Sequence, residues 1–346
     1  MTWHSSAWLV ASKNNSPKTL VNINDQRRSV VKSGPIIIGS ERSEAGLAEG
    51  ARLLADGASA LDAVEASLRL CEDNLSDHYV GTGGLPNARG EVELDASLMI
   101  GSTRAFGAVG AVKGFAHPIS IARAVLERLS QHCLLVGEGA ELFADECGFE
   151  RSDLLTEEAW TLFREALAPS ADSVEGERTA AAAGDDAYRR SALELVNRFR
   201  PHDGPWGTIN VLALDESGEL VAGVSTSGYP WKYPGRVGDS ALPGAGNYAD
   251  LRYGAAACTG RGELSMRLTG ARVVVDNLAR GDEPEQACRA MLAEAAGLPD
   301  SFRAELRTLC LTPDGRHGGA AGQSGSTYNV IHAADGELVV RTRAQL

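Results

Sequence analysis

Residues 207–228 read GTINVLALDESGELVAGVSTSG. Thr208–Leu214 is apolar at nearly every position, the pattern of a strand covered on both faces. Asp215-Glu216-Ser217-Gly218 interrupts it as a four-residue hairpin loop, and Glu219–Thr226 forms the return strand. With the turn centred near residues 216–217, paired residue numbers should sum to about 433 or 434, placing Thr208 opposite Ser225 or Thr226. Two hydroxyl side chains therefore face each other at the open end of a hairpin, between Gly207 and Gly228.

Upstream, Pro35-Ile36-Ile37-Ile38 predicts a short buried strand. Residues 44–73 predict a helix broken near Gly57, with Ser59 capping its second half and Leu61, Val64, Leu68 and Cys71 on one face. A glycine-rich loop, VGTGGLPN (80–87), precedes a strand over 91–99. His117-Pro118 opens a helix with Ile121, Val125 and Leu129 on its apolar stripe. Downstream, a small-residue strand is expected over 253–259. Helices are expected near 266–280, closed by Gly281, and near 284–296, closed by Gly297. A last hairpin turns at Ala334-Asp335-Gly336. Helices, then a two-sided antiparallel sheet, then more helices predict an α/β protein built as a four-layer αββα sandwich. A doubly wound fold would need strand–helix alternation throughout.

Residues 1–34 read as a flexible polar N-terminal extension, and about 168–207 as a linker. The expected organisation is one structural domain in two parts, 35–207 and 208–346. The apolar piece Ala7–Ala11 is too short for a signal-peptide core and has no basic residue before it, so a cytoplasmic location is expected.

A net charge of −13 argues against a protein that tracks phosphate backbones, and no apolar run approaches a membrane span. No nucleic-acid or membrane partner is expected. Six cysteines show neither CxxC nor zinc-type spacing and read as buried free thiols. There is no GxxxxGK[ST], GxSxG or HExxH string. Gly244-Ala245-Gly246 starts a GxGxxD string, but Pro243 stands where a dinucleotide fold needs a strand. Glycine is the outlier: 39 residues, 12 of them between Gly204 and Gly262, which suits a site built from backbone.

Over residues 35 to 335 the sequence resembles the glycosylasparaginase branch of the N-terminal-nucleophile (type 2) asparaginases. The matching strings are Gly-Ala-Ser-Ala-Leu-Asp-Ala-Val-Glu (57–65), VGTGGLPN (80–87), Leu94–Ser97, Gly107–Val109 and LLVGEGAELFADECGF (134–149). They continue with residues 207–228, GRVGDS (235–240), PGAGNYAD (243–250) and GAAACTGRGE (254–263). The resemblance implies a chain that cuts itself at Gly207–Thr208. Thr208 then becomes an N-terminal nucleophile, and its freed α-amine, of reference pKa about 7.7–8.0, is the adjacent base that a hydroxyl needs. By the same comparison Thr226 would hydrogen-bond the nucleophile, Arg236 would hold a substrate α-carboxylate and Asp239 an α-ammonium. Thr259 and the Gly260 N–H would form an oxyanion hole. The implied substrate is a small asparagine derivative, N4-(β-N-acetylglucosaminyl)-L-asparagine first, with isoaspartyl peptide or asparagine as the alternative. No metal or organic cofactor is implied, and a homodimer of processed units is expected. Taken singly, these residues fit blander roles: Arg236 and Asp239 a surface ion pair, Thr259-Gly260 a strand end, Glu41-Arg42 a solvated face. A non-catalytic ligand-binding homologue is the reading from another class.

Three departures from the family pattern stand out. His202-Asp203 is separated from Thr208 by Gly204-Pro205-Trp206-Gly207, whereas the family's His-Asp pair directly precedes the nucleophile. A glycine before the threonine resembles the isoaspartyl peptidase branch. Gly39-Ser40-Glu41-Arg42 stands where glycosylasparaginases carry a pocket tryptophan, and Arg261 is an unexpected charge expected to reach the site mouth.

Overall fold

The computed structural model describes residues 34–167, 191–198, 207–302 and 305–346. The expectations for the extension (1–33), for most of the linker and for His202-Asp203 fall outside the described residues.

The first half runs β1 (Ile36–Ser40), α1 (Glu44–Ala55), α2 (Ala60–Glu72), β2 (Leu94–Ile100), β3 (Phe106–Val112), α3 (Pro118–Arg128), β4 (Leu134–Val136), α4 (Gly137–Glu146), α5 (Glu157–Leu167) and α6 (Ala192–Arg198). The second half runs β5 (Ile209–Leu214), β6 (Leu220–Thr226), β7 (Asn247–Asp250), β8 (Gly254–Gly260), α7 (Gly262–Leu268), α8 (Gly270–Ala279), α9 (Pro284–Ala296), β9 (Leu306–Leu311), β10 (His317–Ala321), β11 (Thr327–His332), β12 (Leu338–Thr342) and β13 (Ala344–Gln345). An eight-stranded sheet has the order β12-β11-β1-β5-β6-β2-β3-β4, and a five-stranded sheet the order β13-β10-β9-β8-β7. Pairing is antiparallel except for β3–β4 and β10–β13.

Strand alternation decides which side chains meet. On β5, Ile209, Val211 and Ala213 join an apolar cluster with Leu47, Val64 and Leu68 of α1 and α2. Leu212 and Leu214 instead meet Ala255, Ala257 and Leu309 of the five-stranded sheet. Cys258 and Cys310, on the opposite side of that sheet, pack on Val274 of α8 and Met291 of α9. Each cluster has the period of two that a strand imposes.

Ser59 caps α2, its Oγ accepting from the Asp62 N–H at 3.1 Å. Three expectations shift. The helix expected from 266 begins at Gly262 and breaks at Thr269, whose φ of 54° ends α7 before α8 starts. Strands β3, β4, β7, β9, β10 and β13 are not among the expected ones; β3 and β10 are rich in Gly and Ala, which carry little β signal. Among the cysteines, all free, Cys133 is exposed and Cys147 half-buried, while Cys71, Cys258, Cys288 and Cys310 are buried.

Candidate active site

The hairpin register is Ile209↔Ser225 through Leu214↔Leu220, pairs that sum to 434. One step further sets Thr208 beside Thr226. Both have the parity of Leu212 and Ala222, so they face the second sheet. Thr259 on β8 has the parity of Ala255 and Ala257 and faces back toward them. Three threonines from two sheets thus converge where the sheets part, all buried.

Thr226 Oγ1 accepts from the Gly228 N–H at 2.9 Å. Its own hydrogen is left for the Gly207 carbonyl at 3.1 Å or that of Tyr79 at 3.3 Å. The Thr208 carbonyl accepts from Ser40 Oγ at 3.1 Å and from Thr259 Oγ1 at 3.5 Å. Gly207 has no room for a side chain: a Cβ there would stand 1.6 Å from Arg42 Nη2 and 2.8 Å from Tyr79 Cβ. Gly260 has φ +111°, and a Cβ on it would lie 2.2 Å from the Glu305 carbonyl oxygen. At Gly260 both the backbone conformation and the close approach require glycine; at Gly207 the close approach alone does.

Arg236 and Asp239 lie on the segment between β6 and β7, which the start of β2 grips. Glu93 accepts from the Gly235 N–H at 2.9 Å, and Asp95 takes the Gly238 N–H at 2.8 Å and the Ala111 N–H at 2.8 Å. Arg236 pairs with Glu263 rather than with Asp239: its Nη2 and Nε reach Glu263 Oε1 at 2.9 and 3.2 Å, and its guanidinium lies over the Tyr229 ring at 4.7 Å. Asp239 is buried, and its Oδ2 has no partner. Burial pushes its carboxyl up to about 7; Arg236 opposes this and Glu263 adds to it. Gly207, Thr208, Thr226, Gly228, Tyr229, Arg236, Gly238, Asp239 and Gly260 line one cavity of about 10 Å³, room for a single water.

Every expected site residue except Thr259 therefore lines this one cavity. Thr259 does not line that cavity but touches Thr208 from below. Arg261 is held from several sides. It is buried, with Nη1 2.6 Å from Glu263 Oε2, Nε and Nη2 each 3.2 Å from Asp300, and its guanidinium over Phe302 at 4.6 Å. It braces Glu263 and lies 5.5 Å from the ring centre of Tyr229, a residue of the cavity wall, so it borders the site from a buried position. Glu41-Arg42 is not a solvated face. Burial alone would raise the Glu41 carboxyl, but Arg343, Arg307 and Ser326 bring it down to about 2. Arg42 binds Asp77 at 3.2 Å and covers the Tyr79 ring. Sequence reasoning missed Ser40, Asn210 and Glu263 as site residues. Asn210, a polar residue inside the apolar run INVLAL, carried a readable signal. Among the described residues, no three His, Cys, Asp or Glu side chains are grouped to hold a metal ion.

The comparisons with known proteins make this chain a hydrolase acting on amide C–N bonds. The chain belongs to the asparaginase family, whose model matches residues 34–335. It is 34% identical over 284 residues to an N(4)-(β-N-acetylglucosaminyl)-L-asparaginase of Elizabethkingia miricola, covering 81% of this chain and 76% of that one. A mouse (Mus musculus) protein of the same name is 35% identical over 274 residues, 77% of this chain and 78% of that one. An isoaspartyl peptidase/L-asparaginase of Danio rerio is 35% identical over 261 residues, 73% and 76%. Among the described residues no helix is long and apolar enough to cross a membrane.

Proposed function

We propose that this protein is a self-processing amidohydrolase that cuts its own Gly207–Thr208 bond and then releases aspartate from N4-(β-N-acetylglucosaminyl)-L-asparagine. The observation that carries the reading is the single cavity shared by Thr208, Thr226, Arg236, Asp239 and Gly260. In processing, Thr208 Oγ attacks the Gly207 carbonyl while Thr226 stabilises the oxyanion. The C–N bond breaks, the Thr208 amine is freed, and water hydrolyses the ester. In turnover that amine takes the Thr208 hydroxyl proton as Oγ attacks the substrate's side-chain amide. Thr259 and the Gly260 N–H hold the developing charge, the amine leaves with a proton, and water releases aspartate. The unpartnered Oδ2 of Asp239 suits an incoming α-ammonium, and the Arg236 guanidinium suits the α-carboxylate.

The three apolar clusters support a four-layer αββα arrangement, with helices on the outer face of each sheet. Gly207 before the nucleophile and the absence of tryptophan at 39–42 favour isoaspartyl peptide or asparagine as the second reading. Aspartate release from β-aspartyl-N-acetylglucosamine, a β-aspartyl dipeptide and asparagine, measured beside a Thr208→Ala control, tests both. A chain that stays whole and releases aspartate from none of them would sink the proposal.

A further inference from the structure

Asn210 stands two residues past Thr208 on the same face of β5, fully buried at the seam between the sheets. Its side-chain Nδ2 lies 3.1 Å from the Cys258 carbonyl oxygen and within hydrogen-bond reach of Thr259 Oγ1. A carbonyl oxygen only accepts, so the NH2 end of the amide must point at Cys258, and the same NH2 then donates to Thr259. With one of its two lone pairs taken by that N–H, the Thr259 hydroxyl cannot donate toward Asn210 and keeps its own hydrogen for an acceptor elsewhere. The acceptor it reaches in the uncut chain is the Thr208 carbonyl at 3.5 Å.

The main chain of Asn210 does the same on the other side. Its N–H donates to Ser40 Oγ at 3.0 Å, and Ser40 Oγ in turn donates to the Thr208 carbonyl at 3.1 Å. Two hydroxyls from different sheets thus receive a hydrogen bond from one residue and send theirs to one oxygen.

We infer that Asn210 is a positioning residue that fixes the Thr259 hydroxyl as a donor, so that it meets a developing oxyanion with its hydrogen rather than its lone pairs. This rests on the role of Thr259 given above. A hydroxyl left to rotate would present the wrong end part of the time. A carboxylate in place of the amide would take the hydrogen for itself. Processing should be insensitive to this device, because the carbonyl cut there is Gly207's and the hydroxyl on it is Thr226's.

The test is a double-mutant cycle on kcat and KM for aspartate release from β-aspartyl-N-acetylglucosamine, with rates normalised to the cleaved fraction on a denaturing gel. Asn210→Asp is expected to lower kcat by about 10²–10³-fold, the loss typical of one oxyanion donor, with KM nearly unchanged. Asn210→Ala is expected to lower kcat less, because it frees the hydroxyl without reversing it. In a Thr259→Val background neither change should lower kcat further. Equal losses in Asp and Ala variants, or additive losses with Thr259→Val, would overturn the inference. So would failure of both variants to process, since Asn210 would then act on the backbone at Thr208. If Thr259→Val alone keeps full kcat, the oxyanion role of Thr259 falls first; if Thr259→Val loses kcat while Asn210→Asp does not, only the role of Asn210 falls.

Discussion

The Thr226 hydroxyl oxygen lies 3.1 Å from the carbonyl oxygen of Gly207, the group that Thr208 must attack if the chain cuts itself. The Gly228 N–H occupies that hydroxyl's acceptor side, so its hydrogen is directed outward. Thr226→Val should therefore slow self-cleavage by about 10²–10³-fold, while Thr226→Ser keeps most of it. A time course of the uncut chain resolving into fragments of roughly 22 and 15 kDa, the 36.4 kDa mass divided at residue 207, checks this. Cleavage of the Val variant at the normal rate would remove Thr226 from the step.

Gly207→Ala places a methyl on the Arg42 guanidinium and against Tyr79. The Nη2 end of the guanidinium must then shift, at a cost of about 1–3 kcal/mol typical of overpacking. Slower cleavage and a lower denaturant midpoint are expected, and adding Arg42→Ala should recover part of the cleavage rate. No recovery would point to Tyr79 as the contact that matters.

Asp239 sets a pH dependence of stability. A carboxyl raised above its unfolded value favours folding at low pH, so its contribution is present below about pH 4 and is lost as pH rises through about 7. Relative to Asp239→Asn, the native protein should lose on the order of 4 kcal/mol across that window. Paired urea titrations at several pH values measure the difference. Aspartate should also bind more weakly below pH 7, where the carboxyl takes up its proton. A pH-independent difference between the two proteins would contradict the assignment.

Glu263 holds the Nε edge of Arg236 while Nη1 stands near Gly228 and Gly238, two residues of the cavity wall. Glu263→Gln should raise KM about tenfold or more, as the loss of a charged hydrogen bond implies, and leave kcat within a few-fold. It should also lower the Asp239 pKa, since Glu263 is one cause of its rise. Unchanged KM would show that Arg236 needs no such support.

Much of the site was legible because strand arithmetic is rigid. The 215–218 turn narrows the partner of Thr208 to Ser225 or Thr226, the register settles on a sum of 434, and the apolar run at 208–214 reads as a strand covered on both faces. The family strings supplied Arg236, Asp239 and Thr259, which lie far apart in the chain and which no local pattern joins. What stayed hidden was pairing through space. That Arg236 takes Glu263 and leaves Asp239 alone depends on where α7 starts, and α7 was misplaced because nothing in GRGELSMRLTG marks the break at Thr269. Strands β3 and β10 escaped for a related reason: their Gly and Ala residues are there to let helices lie close, as at Gly107 against Ala122 and Gly318 against α9.

The 10 Å³ cavity has a consequence for timing. Gly207 is part of its wall, beside Thr208, Arg236 and Asp239. On the proposed reading the newly made chain is latent, and the scissile residue is its own plug. Cutting the bond would free the base that catalysis needs and let the obstruction move aside in the same event. Such a protein would need no separate activator, and its onset of activity would follow first-order kinetics, independent of its concentration.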